Sequence, residues 1–190
     1  WGRQCSDTTN EEQVIMWERG CAWAEENKAC ISEVEIENEG FHLCGEYFDF
    51  GGKKAAIIIP GRCESLMYSY YFAIPYKKAG CNVLVIDIRS HGNSSGTYDY
   101  IGVGEDSDVL KWAELLHERF GNEEVILHGI CMGGNTGVLA LIRPECPEYV
   151  SAMITEGCYI SFYESYKQHM IYEHKPVFPV LPLVMHLIKQ

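Results

Sequence analysis

The chain has 190 residues, 47% of them hydrophobic and 22% charged, a balance that excludes a disordered polymer or a membrane bundle and leaves one domain-sized core as the expectation. Lys and Arg total 15 against 27 Asp and Glu, and the net charge of -12 repels a phosphate backbone over most of the surface, so nucleic acid is not an expected partner. The cysteines, Cys5, Cys21, Cys30, Cys44, Cys63, Cys81, Cys131, Cys146 and Cys158, include no C-x-x-C pair and no zinc-like spacing with histidine. They predict free thiols in a reducing cytoplasm, with no metal and no cofactor.

Residues 10–28 carry Val14, Trp17, Cys21 and Ala24 at intervals of three and four, with glutamates between them. This predicts an amphipathic helix packed outside the domain, and residues 1–30 are taken as that N-terminal segment. Residues 31–37 alternate apolar and charged, residues 41–50 alternate less strictly, and Asn38-Glu39-Gly40 separates them. That pattern is a hairpin with one exposed face. Residues 55–60 form a continuous apolar run ending in Pro60-Gly61-Arg62, which predicts a parallel strand buried on both faces.

Residues 66–79 are aromatic-rich and read as a helix bent at Pro75, whose tyrosines Tyr68, Tyr70, Tyr71 and Tyr76 pack on a sheet. Gly80 closes it before a strand over residues 82–88. Residues 89–104 are a Gly-, Ser- and Asn-rich loop. Residues 105–120 are a crossover helix with Val109, Ala113, Leu116 and Phe120 on one face and Glu105 and Asp106 in the first turn. Gly102-Val103-Gly104 lacks the third glycine and the preceding strand of a dinucleotide fingerprint.

Then comes His128-Gly129-Ile130-Cys131-Met132-Gly133-Gly134, between apolar residues 124–127 and 138–142. Strand, sharp turn and helix are expected, with Cys131 at the apex and small residues on both sides so that the backbone can turn tightly. A strand over residues 149–155 follows, ending at Glu156-Gly157. The apolar run at 176–188 is too short and too broken by prolines to span a bilayer.

G-x-C-x-G after a strand resembles the nucleophile elbow of the α/β-hydrolase superfamily, with cysteine for the usual serine. Two further landmarks stand in that family's order: Pro60-Gly61-Arg62 after one strand, and Asp87-Ile88-Arg89-Ser90-His91-Gly92-Asn93-Ser94, similar to D-x-R-G-H-G-x-S, after the next. The loop and hairpin pattern looks most like the bacterial serine-aminopeptidase-like or general hydrolase group, while cysteine at the elbow is shared with dienelactone hydrolases.

The resemblance implies a mostly parallel, doubly wound α/β sheet with an N-terminal antiparallel hairpin. It also implies a core over residues 31–158, a cap beginning at 159–190, and truncation after the sixth strand. Its triad runs nucleophile, acid, histidine. Cys131 is accordingly the expected nucleophile, and the backbone N–H groups of Arg62 and Met132 the oxyanion donors. Glu156 is a candidate acid at an early position, and the catalytic histidine is expected outside this chain. His91 is expected to brace its loop, and His128 to lie buried beside the elbow.

The implied activity is hydrolysis of an activated acyl substrate, an ester, lactone or thioester, through an acyl-enzyme. A thiolate is favoured at a helix N-terminus and is a good leaving group. A non-catalytic binding module and an acyltransferase are the alternatives. The expected partner is a small molecule, and oligomeric state is left open.

Overall fold

A computed structural model describes residues 11–98, 100, 102, 104–159 and 161–188. They form two compact units that divide between Cys158 and Tyr159.

The first unit opens with helix α1 (Glu11–Glu26), followed by the antiparallel hairpin β1 (Ile31–Asn38) and β2 (Phe41–Phe48). Gly40, at φ +81 in its turn, adopts a conformation that L side chains resist. The chain then alternates: β3 (Lys54–Ile59), helix α2 (Tyr70–Lys78), β4 (Asn82–Ile86), helix α3 (Glu105–Glu118), β5 (Glu124–Ile130), helix α4 (Met132–Leu141) and β6 (Val150–Glu156).

The strands join in the order β1-β2-β4-β3-β5-β6. β2 meets β4 antiparallel, whereas β4, β3, β5 and β6 are mutually parallel, in agreement with the hairpin-then-parallel reading of the sequence. The run Ala55–Ile59 is wholly buried, as its unbroken apolar character requires of a central strand covered on both faces.

Helices α1 and α2 cover one face of the sheet, where Trp23, Phe48, Ile58, Tyr70, Val83 and Val85 share one cluster. Trp23 lies deeper than Val14, Trp17 or Cys21, because α1 turns the Gly20–Trp23–Ala24 stripe inward. A Cβ on Gly20 would stand 2.9 Å from the Tyr71 backbone nitrogen, so the two helices cross nearly in contact there. Helices α3 and α4 cover the opposite face, where Trp112 and Leu116 are fully enclosed.

The helix expected over residues 66–79 begins as a 3₁₀ turn, Leu66–Ser69, before α2, and Pro75 sits inside α2. Tyr70 and Tyr76 are buried as sheet-packing residues, while Tyr68 lies against Trp17.

The second unit contains α5 (Phe162–Tyr172) and α6 (Val180–Ile188), which touch each other. Ser161 caps α5 by accepting the Glu164 N–H at 3.4 Å. Among the described residues no helix is long and apolar enough to cross a membrane.

Candidate active site

The turn between β5 and α4 is set by close packing around two glycines. A Cβ on Gly129 would lie 2.2 Å from the Gly133 carbonyl oxygen, and one on Gly133 would lie 2.3 Å from that of Ile59. Only hydrogen fits between strand, helix and neighbouring strand. Within this turn Cys131 has φ +51 and ψ -112, outside the regions an L residue prefers, and it is exposed. Its backbone is held on both sides: the Cys131 N–H donates to Glu156 O at 2.7 Å, and its carbonyl accepts the Gly134 N–H at 3.1 Å.

Strain recurs at the same end of the sheet. Cys63 after β3 has φ +61 and Ser90 after β4 has φ +63, so the loops leaving three successive parallel strands each hold a non-glycine residue in the left-handed region. The carboxyl ends of parallel strands are where α/β sheets place their ligand sites.

The loop after β3 approaches the elbow directly. A Cβ on Gly61 would sit 3.5 Å from Cys131 Cβ. Glu64 folds back over this loop, its carboxylate accepting the Gly61 N–H at 2.9 Å. Arg62 follows in that loop and Met132 opens α4, where the first N–H groups have no acceptor within the helix.

Two residues of the Asp87–Ser94 segment pin that loop. His91 is buried and uses both ring nitrogens: Nδ1 donates to Arg89 O at 2.8 Å, and Nε2 accepts the Cys63 N–H at 3.2 Å. Asp87 accepts the Leu66 N–H at 2.7 Å on one oxygen and the Asn93 N–H at 2.9 Å on the other, and burial lifts its pKa above the usual carboxylate range. Gly92 is obligatory beside it, since a Cβ there would lie 2.0 Å from the Asp87 carboxylate.

Arg89 turns the other way. It pairs with Asp108 through Nε at 2.7 Å and Nη2 at 2.8 Å, reaches Glu39 at 2.9 Å, and stacks over Phe41. His91 thus braces the loop, as its place in the sequence suggests.

His128 is buried beneath the elbow and its Nδ1 lies 3.0 Å from Tyr76 Oη. With the hydroxyl donating, the ring carries its proton on Nε2. Glu156 Oε1 lies 3.3 Å from that nitrogen, which makes no hydrogen bond. Burial depresses the His128 pKa, opposed by the smaller pull of Glu156, and burial also pushes Tyr76 up to about 12.

Glu156 is the last residue of β6. Its carboxylate is half exposed beside His128, and its carbonyl secures Cys131. The structure brings Cys131, Gly61 and the Glu156 backbone together, and it commits His91 to the loops. The Tyr76–His128 link joins α2 to β5 and carries no local signal in the sequence.

Among the described residues, Glu35, His42 and Cys44 bring their ligand atoms within 4.8 Å of one another on the hairpin. A strand aligns residues two apart on one face and adds a third from its partner, so the i, i+2 pair His42–Cys44 was the available signal.

A sequence profile described as the alpha/beta hydrolase fold matches residues 55–183. The chain belongs to the α/β-hydrolase family. Among individual relatives, the uncharacterized protein YqkD of Bacillus subtilis is 27% identical over 135 residues, which are 70% of this chain and 44% of that protein. This chain thus spans less than half the length of that relative.

The Pyrococcus furiosus esterase Pf2001 superposes with a TM-score of 0.70 at 23% identity, covering 80% of this chain and 59% of the esterase. Epoxide hydrolase A from Mycobacterium thermoresistibile superposes at 0.53 with 24% identity, covering 66% and 38%. At these identities the likeness is one of fold.

Proposed function

We propose that the protein is a hydrolase of activated acyl compounds, an ester, lactone or thioester, that passes through an acyl-enzyme on Cys131. The supporting observation is the strained, exposed Cys131 at a strand-to-helix turn too tight for any side chain at Gly129 or Gly133. Strain at an exposed nucleophilic side chain persists only where the surroundings over-determine it, as they do here.

In this reading the Cys131 thiolate attacks the acyl carbonyl carbon. A C–S bond forms, the carbonyl electron pair moves to oxygen, and the backbone N–H groups of Arg62 and Met132 hold the oxyanion. Each such donor is worth about 2.7–4 kcal/mol at the transition state. Collapse expels the alcohol or thiol, which takes up a proton, and water then releases the acid and restores the thiol. His91 and His128 are engaged with Arg89, Cys63 and Tyr76, and neither is taken as the general base. Glu156 remains the early-position candidate for the acid.

The test is a limiting alkylation of the native protein followed by mass mapping, with a nitrophenyl ester assay of the Cys131→Ala variant. Cys131 should be modified first and the variant should neither acylate nor turn over. Cys63 and Cys158 are also exposed, so preferential labelling of either, or unchanged turnover in the variant, overturns the assignment.

A further inference from the structure

The outward face of the β1–β2 hairpin carries chemistry that the proposed hydrolase does not use. In the antiparallel register Glu35 stands opposite Cys44 and Glu37 opposite His42, and residues so paired project on the same side of a sheet. Val34, Ile36 and Leu43 fill the inward face, so the outward one gathers a carboxylate, an imidazole and a thiol on one rigid element.

Their ligand atoms lie within 4.8 Å of one another, and His42 Nε2 is 3.6 Å from Glu35 Oε1. A tetrahedral ion with bonds of about 2.0–2.3 Å separates its nitrogen, oxygen and sulfur ligands by roughly 3.3–3.6 Å. The nitrogen–oxygen pair is therefore already near that spacing, and side-chain rotation closes the remainder.

A second observation concerns orientation. His42 Nδ1 is 2.8 Å from Glu37 Oε1, which fixes the ring with Nε2 turned toward Glu35. A carboxylate on the far nitrogen is the usual outer partner of a metal-bound imidazole. The groups border an open cleft of about 310 Å³ that Glu33, Glu46 and Asn93 also line, leaving room and negative charge for a divalent ion.

We propose that Glu35, His42 and Cys44 bind a borderline divalent transition ion of the zinc class, with water or Glu33 completing the tetrahedron. The mixed oxygen, nitrogen and sulfur set favours such an ion over calcium or magnesium, which take oxygen ligands. On binding, the Cys44 thiol gives its proton to solvent and its sulfur forms the metal bond, replacing the present contact with Asn93 O at 3.4 Å.

The ion acts as a clamp on the hairpin. The backbone of His42 exchanges hydrogen bonds with Ser95, and the Cys44 N–H donates to Ser94 Oγ at 2.9 Å, so the ligands are already sewn to the loop that holds His91.

The proposal is tested on the protein freed of metal by a chelator, reduced, and titrated with Co²⁺. One equivalent should bind and produce a thiolate-to-cobalt charge-transfer band that Zn²⁺ displaces. Cys44→Ser should abolish the band, and Glu37→Gln should weaken binding by about 10–100-fold. Cys63→Ser and Cys131→Ser should leave it intact.

A second measurement needs no variant: Zn²⁺ should shield Cys44 of the wild-type protein from alkylation. Absence of the band, its survival in a folded Cys44→Ser variant, its loss in Cys63→Ser or Cys131→Ser, or unchanged Cys44 labelling with Zn²⁺ overturns the proposal.

Discussion

Replacing Gly133 with alanine would put a methyl group 2.3 Å from the carbonyl oxygen of Ile59 and 2.5 Å from that of Pro60. Comfortable carbon contacts lie near 3.5–4.0 Å, so the start of α4 or the end of β3 must retreat by about 1 Å. Overpacking of this kind costs about 1–3 kcal/mol, with the upper end expected because the obstructing atoms are backbone oxygens in a central strand.

Alanine also recovers up to about 1 kcal/mol of helix propensity, leaving a net loss near 2 kcal/mol. Gly137→Ala is the matched control in the same helix. Its nearest obstacle is the Met153 terminal methyl at 2.4 Å, a flexible end that can swing aside, so it should change stability by less than about 1 kcal/mol.

For a chain of this length 2 kcal/mol corresponds to a fall in Tm of about 4–8 °C. Urea unfolding of both variants reads the energies, and the alkylation rate of Cys131 reads whether the turn moved. Gly133→Ala as stable as Gly137→Ala, with Cys131 labelled at the wild-type rate, would refute the claim that glycine at 133 sets the elbow.

Asp108→Ala should destabilise the protein by about 3–5 kcal/mol in urea unfolding, because it strips the buried Arg89 of its bidentate partner and also leaves Asn38 Nδ2, 2.6 Å away, without that acceptor. A loss below about 1 kcal/mol would mean that water solvates the guanidinium. Stability should also carry a pH signature from His128. Burial holds its folded pKa below the unfolded value of about 6.5, so its contribution is complete above that pH and is lost as pH falls toward the lowered folded value, where the unfolded chain binds more protons. The urea midpoint of His128→Gln should fall less over that interval than that of the wild type, and parallel curves would contradict this.

What could be read from the sequence was what short-range sterics dictate. The small residues around Cys131, the unbroken apolar run at Ala55–Ile59 and the alternation in β1 each allow few conformations, and the elbow, buried strand and hairpin formed where expected. Contacts made across the fold were not legible. Nothing near Tyr76 marks it as the partner of His128, 52 residues away. The direction in which Asp87 and His91 spend their hydrogen bonds depends on where the β3 loop lands. Of the Glu35–His42–Cys44 face, spacing along the chain offers only the His42–Cys44 pair, and Glu35 joins it through the strand register.

The hairpin register has one further consequence. β1 is terminal in the sheet order, so among the described residues one row of its backbone donors and acceptors has no neighbouring strand. Glu33, Glu35 and Glu37 stand at every second position along it. A second copy approaching that edge would bring its own row of carboxylates alongside, and like charges placed opposite one another disfavour strand pairing. The acidic row thus guards this edge against fibre-like addition.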